Sequence, residues 1–411
     1  MTRRAPVFRW VNQENGQRTP VQVGELSRHA SHWEFLYDRD YLALGAQAWE
    51  LDPADIRTKQ RSVFTKAGVV PPPVFCDVAI SGWSQDILRK HARTAAFGTT
   101  AGGAGEPWGW WERLVHAPAD GFGALFVGRL EDKLPLDEIL TDAIGSLTRD
   151  SLLRASLESS SGAMGGERPK FAALIRSDQW PAVPVIVKFA LPSERADCVV
   201  AEATALTLAK ELGLQVPGHD VVLVNDLPAL RIERFDRGRG TNGLAHHCVS
   251  AATALGLVPG TDVDDPRRSC VRLRSKLKRP GDALELYRRI VFNGAVGNTD
   301  DHPWNTSLRQ LGLSDWALSP LYDVMPFFAR EGTPVFRMAI TAKGARLGTA
   351  ENLVQAGHEI AALRADAARA VIDSTAAFVR ANWRRVFEQH AEPLPDARPD
   401  DWAGVFAPGS S

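Results

Sequence analysis

Cysteine is scarce in this chain: Cys76, Cys198, Cys248 and Cys270 are the only four among 411 residues. They are scattered with no C-x-x-C pair, which argues against a thiolate metal knuckle or a disulfide framework and predicts reduced thiols. An excess of one charge is missing as well. Lys and Arg number 48 and Asp and Glu 49, a formal net charge of −1, so a histone-like coat for polyanions is not expected, although local patches are allowed. No run reaches the ~18 uninterrupted apolar residues of a membrane helix. The amino terminus, MTRRAPVFRW, carries arginines with no apolar segment behind them, so neither a secretory leader nor a membrane partner is expected, and the location reads as cytoplasmic. Internal repeats are absent too. What is present is an ordinary globular composition, too rich in core-forming residues for chain-wide disorder and long enough for two or three packed units. Of the tryptophans, the cluster Trp108, Trp110 and Trp111 reads as packing.

Patterning divides the chain into four spans. In the first span, residues 1–115, positions 1 to about 70 read as a small mixed unit, with strands at 6–11 and 20–26 around an Asn15-Gly16 turn. A Pro71-Pro72-Pro73 breaker follows, and the Gly/Ala/Thr-rich stretch 95–107 reads as a linker. Residues 116–240 begin with a buried strand at 121–130 and an amphipathic helix at 134–147. Next come a small-residue loop at 159–170 (SSSGAMGGERPK), a strand from 170, a turn, and a second strand at 183–191 with Lys188 near its end. A helix at 194–212 stops at Gly213, and a hairpin turns at Asn225-Asp226. Residues 241–390 read as mainly helical. The tail, 391–411, is rich in Pro, Ala and Asp and is expected to fray. Small-residue loop, strand, Lys-bearing strand, helix, two strands and a helical half is also the element order of a protein-kinase small lobe leading into its large lobe.

Phosphoryl transfer needs a lysine on the phosphates, an acid holding that lysine, a carboxylate and a carboxamide on magnesium, and a carboxylate to orient the attacking hydroxyl. Each has a candidate. Lys188 sits in the apolar run V-I-V-K-F, where it must snorkel at an edge or meet a buried anion. Glu202 lies beside the apolar face of the next helix and with Lys188 reproduces a Lys-strand, Glu-helix arrangement. Residues 297–305, GNTDDHPWN, follow an apolar helix. A kinase catalytic loop spaces its base and its metal-binding Asn five residues apart. That spacing holds from Asp300 to Asn305 and not from Asp301, so Asp300 is selected as base and Asn305 as magnesium ligand, with Asp301 and His302 shaping the loop; an Asx turn with a helix cap is the plain alternative. The run ALSPLYDVM at 317–325 presents Asp323 at the position of a second metal-binding aspartate, with Asp-Val-Met in place of Asp-Phe-Gly. In RIERFDR at 231–237, backbone groups of Glu233 and Phe235 suit an adenine edge, while Asp236 could reach a ribose or pair with Arg234 or Arg237. The loop matches neither G-x-G-x-x-G nor G-x-x-x-x-G-K-[ST]; Ser159, Ser160 and Ser161 are potential phosphate acceptors. A basic run (Arg267, Arg268, Arg272, Arg274, Lys276, Lys278, Arg279) could meet DNA phosphates or an acidic partner, or lie in a solvated loop.

These segments together resemble the HipA family of toxin kinases from bacterial type II toxin–antitoxin systems. The carrying residues are R-P-K at 168–170, I-V-K-F at 186–189, A-K-E-L-G-L at 209–214, E-R-F-D-R at 233–237, G-N-T-D-D-H-P-W-N at 297–305 and L-S-P-L-Y-D-V at 318–324. V-G-E-L at 23–26, F-L-Y at 35–37 and Y-L at 41–42 look like the family's N-terminal subdomain. The resemblance implies an α+β, protein-kinase-like bilobal fold: a mixed small lobe with an added N-terminal subdomain, and a mainly helical large lobe. It implies ATP and Mg2+, Ser/Thr phosphorylation of a protein such as an aminoacyl-tRNA synthetase, inhibited translation, and self-inactivation by serine autophosphorylation. It implies a HipB-like helix-turn-helix antitoxin that binds operator DNA. Carried over, Lys188 contacts phosphates, Asp300 is the base, Asn305 and Asp323 bind magnesium, and 233–235 form the hinge. The longer, more Gly/Ser-rich loop departs from the family and leaves the modified serine open among Ser159, Ser160 and Ser161. Two rival readings stand beside it: an antitoxin- and DNA-associated binding or repressor component with little kinase activity, and a small-molecule kinase.

Overall fold

The computed structural model describes residues 2–56, 58, 62–64, 70–82, 109–132, 168, 170–175, 182–190, 194–224, 227–240, 244–326 and 333–407. The expected linker at 95–107, the helix at 134–147 and Ser159, Ser160 and Ser161 lie outside these residues. The chain forms two compact units: Met1–Phe189 with Glu233–Val249 and Gly312–Ser314, and Ala190–Ile232 with Ser250–Leu311 and Asp315–Ser411.

The first unit is built on an antiparallel sheet in the order β4-β3-β2-β1-β5. β1 (Arg3–Asn12) and β2 (Arg18–Arg28) are the predicted hairpin, longer at both ends because pairing continues from Asn12–Arg18 to Arg3–Arg28. Alternate residues of β1, Ala5, Val7 and Arg9, are buried, the period of a strand with one covered face. β3 (Trp33–Tyr37), β4 (Ser62–Phe64) and β5 (Leu125–Val127) complete the sheet. Short helices α1 (Arg39–Ala43), α2 (Pro73–Val78) and α3 (Trp110–Val115) accompany it. Its core is aromatic: Phe35 packs edge-on to Tyr37 and against Phe75. Trp111 stacks on Trp33, and the Arg113 guanidinium covers Trp110, so these two tryptophans pack as read. β6 (Lys170–Ile175) and β7 (Val183–Phe189) pair antiparallel, with Lys170 opposite Lys188.

The second unit centres on α4 (Cys198–Glu211), which is buried on nearly every side and therefore apolar nearly all round. It starts four residues later than the sequence suggests, and Gly213, at φ +81°, ends it where expected. β8 (His219–Val224) and β9 (Leu227–Glu233) form the expected hairpin. β10 (Cys248–Ser250) runs from residues of the first unit into the second, and α5 (Ala251–Ala254), α6 (Cys270–Arg274) and α7 (Asp282–Ala295) follow. Two non-helical stretches then interrupt the mainly helical remainder. β11 (Ser307–Gln310) and β12 (Trp316–Leu318) form an antiparallel pair, and residues 333–349 run as bends and isolated bridges. Helices α8 (Ala350–Ala361) and α9 (Ala365–Ala391) close the unit against α7, and α9 packs along α4.

Residues 391–407 of the tail do not fray. Trp402, Val405 and Phe406 are buried, and Phe406 of α10 (Ala403–Phe406) stacks on Trp383 of α9 at 5.5 Å between centroids. Composition suggested a loose end, but these few apolar side chains meet the apolar face of α9. All four cysteines are buried, and none of them forms a disulfide.

Candidate functional site

The site is organised from α7. Leu286, Tyr287, Ile290, Val291 and Phe292 of this helix are buried, as its apolar period requires. A second, polar stripe is buried beside them: Asp282, Glu285, Arg289 and Asn293. Arg289 donates to Glu285 Oε1 from Nε (2.9 Å) and Nη2 (2.8 Å), and Nη2 also reaches the Ser319 carbonyl at 2.9 Å. Glu285 accepts the Gln215 N–H at 3.0 Å, and Asp282 accepts the Leu318 N–H at 3.1 Å. Paired in this way, buried charges avoid the cost of being left alone and hold the segment that leads to Asp323.

Asn293 does the same for the loop after the helix. Its Nδ2 donates to Asp301 Oδ2 at 2.7 Å, and its Oδ1 accepts from Asn298 at 3.0 Å. Asp301 also accepts the Thr306 hydroxyl at 3.4 Å. Burial pushes the Asp301 carboxyl above the usual carboxylate range. Asp301 thus belongs to the interior of the loop. Its neighbour Asp300 faces out, with a side chain 42% exposed and its carboxylate 3.1 Å from Arg337 Nε. The Asp300 carbonyl accepts the His302 N–H at 2.7 Å and the Asn305 Nδ2 at 3.1 Å. This bond fixes the Asn305 carboxamide and leaves Oδ1 as its acceptor end.

Tyr322 joins this loop to the second carboxylate. Its hydroxyl donates to the Trp304 carbonyl at 2.9 Å and hydrogen-bonds Ser307 Oγ. Asn305 and Asp323 follow directly after the two residues so joined. Asp323 has φ +56°, a left-handed conformation uncommon outside glycine and concentrated at functional sites. Two hard oxygen donors of this kind suit magnesium when nucleotide phosphates and water complete its shell. Among the described residues, no group of three or more His, Cys, Asp or Glu is arranged to hold a metal ion without such help.

The other predicted residues are divided between the units. Glu202, on α4 of the second unit, is 1% exposed. Lys188, on β7 of the first, is buried rather than snorkelling at an edge. Glu233 pairs with Arg239 at 2.8 Å. The Arg234 N–H donates to the Pro184 carbonyl at 2.9 Å, and the Phe235 ring lies edge-on to Phe122. Of its two alternatives, Asp236 takes the ion pair. It is buried, and its oxygens accept from Arg234, Arg237 and the Gly123 N–H. Sequence reasoning missed Glu285, Arg289, Asn293, Tyr322 and Arg337. A signal existed for the first three, as polar residues recurring along an otherwise apolar helix. Of the basic run, Arg267 pairs with Asp265, Arg268 covers Trp304 and reaches the Thr261 carbonyl, and Arg274 reaches the Ile360 carbonyl. No described helix is long and apolar enough to cross a membrane.

Comparison with known proteins gives three findings. A family model described as the HipA-like C-terminal domain matches residues 162–383, more than half of the chain. The Sinorhizobium fredii protein Y4dM, a kinase by its provisional name, is 30% identical over 224 residues, 50% of this chain and 53% of its own length. The serine/threonine-protein kinase toxin HipA of Shewanella oneidensis is 31% identical over 147 residues, 31% of this chain and 34% of its own. The chain thus spans about half or less of the length of the curated relatives it matches. Among solved structures, HipA in the complex of HipA, HipB and operator DNA from Shewanella oneidensis superposes with a TM-score of 0.63 at 18% identity, covering 97% of this chain and 94% of that one. The mixed α+β, HipA-like fold expected from the sequence is therefore the fold observed.

Proposed function

This chain belongs to the HipA-like family, and from that premise we propose that it is an ATP- and magnesium-dependent serine/threonine protein kinase acting as the toxin of a HipA/HipB-like pair. The observation that carries the proposal is the loop in which Asn305 is clasped to the Asp300 carbonyl while Tyr322 ties it to the turn of Asp323. Asp300, outward and carboxylate-bearing, accepts the proton of the attacking hydroxyl. Asn305 Oδ1 and the Asp323 carboxylate hold magnesium, which when bound neutralises phosphate charge. Lys188 grips phosphate oxygens, Glu202 is the helix acid of the catalytic set, and the main chain of Glu233 and Phe235 reads the adenine edge. Asp236 has no part in nucleotide contact on this reading.

Self-inactivation uses Ser159, Ser160 or Ser161, and the protein substrate is an aminoacyl-tRNA synthetase whose modification stops translation. The protein is cytoplasmic, and a HipB-like antitoxin holds it and delivers it to operator DNA; likeness to the fold of HipA in such a complex supports the partner. Asp300→Asn is expected to lower phosphotransfer by about 10²–10⁴-fold while ATP binding, read by calorimetry, persists. Retained turnover would remove Asp300 from the role.

One observation favours a second reading, a binding or repressor component with little activity: the Asp300 carboxylate already faces Arg337. The readings separate on Asp323→Ala in cells. Toxicity that survives this change does not come from catalysis.

A further inference from the structure

The first unit contains an ion cluster that the proposed chemistry does not use. Arg234 reaches Asp236 from Nε and Nη2 (both 2.9 Å), the Gly121 carbonyl (2.7 Å) and the Asp120 carbonyl (3.1 Å). Arg237 reaches Asp120 Oδ1 (2.7 Å) and the carbonyls of Gly121 (2.9 Å) and Gly123 (2.7 Å). Arg18 reaches the same Asp120 oxygen at 2.6 Å and lies over Trp10, whose indole N–H donates to the Ala119 carbonyl at 2.8 Å. Burial alone would raise the Asp120 carboxyl, but Arg237, Arg234 and Arg18 hold it well below the usual range.

Two further features single out the loop 120–123. Gly123 has φ +70°, and a Cβ there would sit 2.8 Å from the Cys248 carbonyl oxygen, so only glycine allows this approach. Phe122, between the clamped glycines, is the ring that meets Phe235 edge-on. A buried cluster of this size is poor value as plain stabilisation, since apolar packing of equal volume is often as stable. Its geometric effect is specific: the loop 120–123 is clamped by the Arg234, Asp236 and Arg237 side chains, and Arg18 of β2 and Trp10 of β1 hold the same loop, so the 234–237 segment is tied to it through three charged side chains.

We propose that Asp120 and Phe122 are positioning residues for nucleotide recognition, fixing the 233–237 backbone so that it discriminates adenine from other bases. This rests on the hinge reading above. The test is calorimetric titration of Asp120→Asn and Phe122→Ala with Mg-ATP and with Mg-GTP, beside the wild-type chain. The expected result is a loss of about tenfold or more in the ATP-to-GTP affinity ratio, because a shifted backbone loses base-specific hydrogen bonds. A merely structural role would weaken both nucleotides alike, and an unchanged ratio in the folded variants overturns the inference. If Asp120→Asn fails to fold, Phe122→Ala, altered at a partly exposed loop position, decides the matter. A wild-type chain that binds ATP without preference over GTP overturns the hinge reading itself, and the inference with it.

Discussion

Two adjacent aspartates show how burial assigns roles. Asp300 is open to solvent beside Arg337, whereas Asp301 is half-buried and held by Asn293 and Thr306. Asp301→Ala leaves the Asn293 amide buried without its acceptor and should cost about 1–3 kcal/mol, read as a shift of the urea midpoint. Asp300→Asn should leave that midpoint nearly unchanged. Burial also makes histidines sensitive to acid. His247 Nε2 bonds the Leu51 carbonyl at 2.7 Å, and burial pushes its pKa down to about 3. Burial likewise brings His390 down to about 4. Both folded values lie below the unfolded value of ~6.5, so the neutral forms stabilise the fold fully above that pH. The contribution is lost as pH falls from ~6.5 towards 4 and then 3, by at most about 1.4 kcal/mol per pH unit per group. Stability measured at pH 7 and pH 5 should therefore fall with acid, and less in His247→Gln. An identical fall in the variant would remove His247 from the account.

At the scale of elements, α7 does two jobs with two stripes. Its apolar residues were legible from their period, and the loop after it from the spacing of Asp300 and Asn305. Its polar stripe was not, because a search for apolar recurrence does not weigh polar residues, and their partners, Ser319, Leu318 and Gln215, are remote in sequence. Arg289→Ala strands the Glu285 carboxylate in the interior and should cost about 3–5 kcal/mol in chemical denaturation. Tyr322→Phe keeps the ring and removes only the O–H that ties Tyr322 to Trp304 and Ser307. It should leave stability within about 1–2 kcal/mol and raise the magnesium concentration needed for half-maximal phosphotransfer by about tenfold, since roughly one decade is the least that supporting contacts around a metal contribute. An unchanged magnesium requirement would show that the Asn305–Asp323 arrangement does not depend on Tyr322.

At the scale of the molecule, local signals carried the hairpins and α4, and the order of motifs carried the family. They did not carry long-range closure. Residues 233–249 and 312–314 return to the first unit, and no periodic pattern marks such a return. Asp236 illustrates this, because its partner loop lies more than a hundred residues earlier. The tail was misread for the same reason, since its composition resembles a frayed end while Trp402 and Phe406 find a face on α9. Trp402→Ala should therefore cost about 3–5 kcal/mol, measured by thermal or urea unfolding.

The central claim is that Asp300 drives phosphoryl transfer by this chain. It is tested most directly by intact mass spectrometry and peptide mapping of wild type and Asp300→Asn after incubation with Mg-ATP. The account predicts an added phosphate at Ser159, Ser160 or Ser161 in wild type and none in the variant. Equal phosphorylation of both proteins would contradict it, as would a wild-type chain that neither modifies itself nor binds ATP.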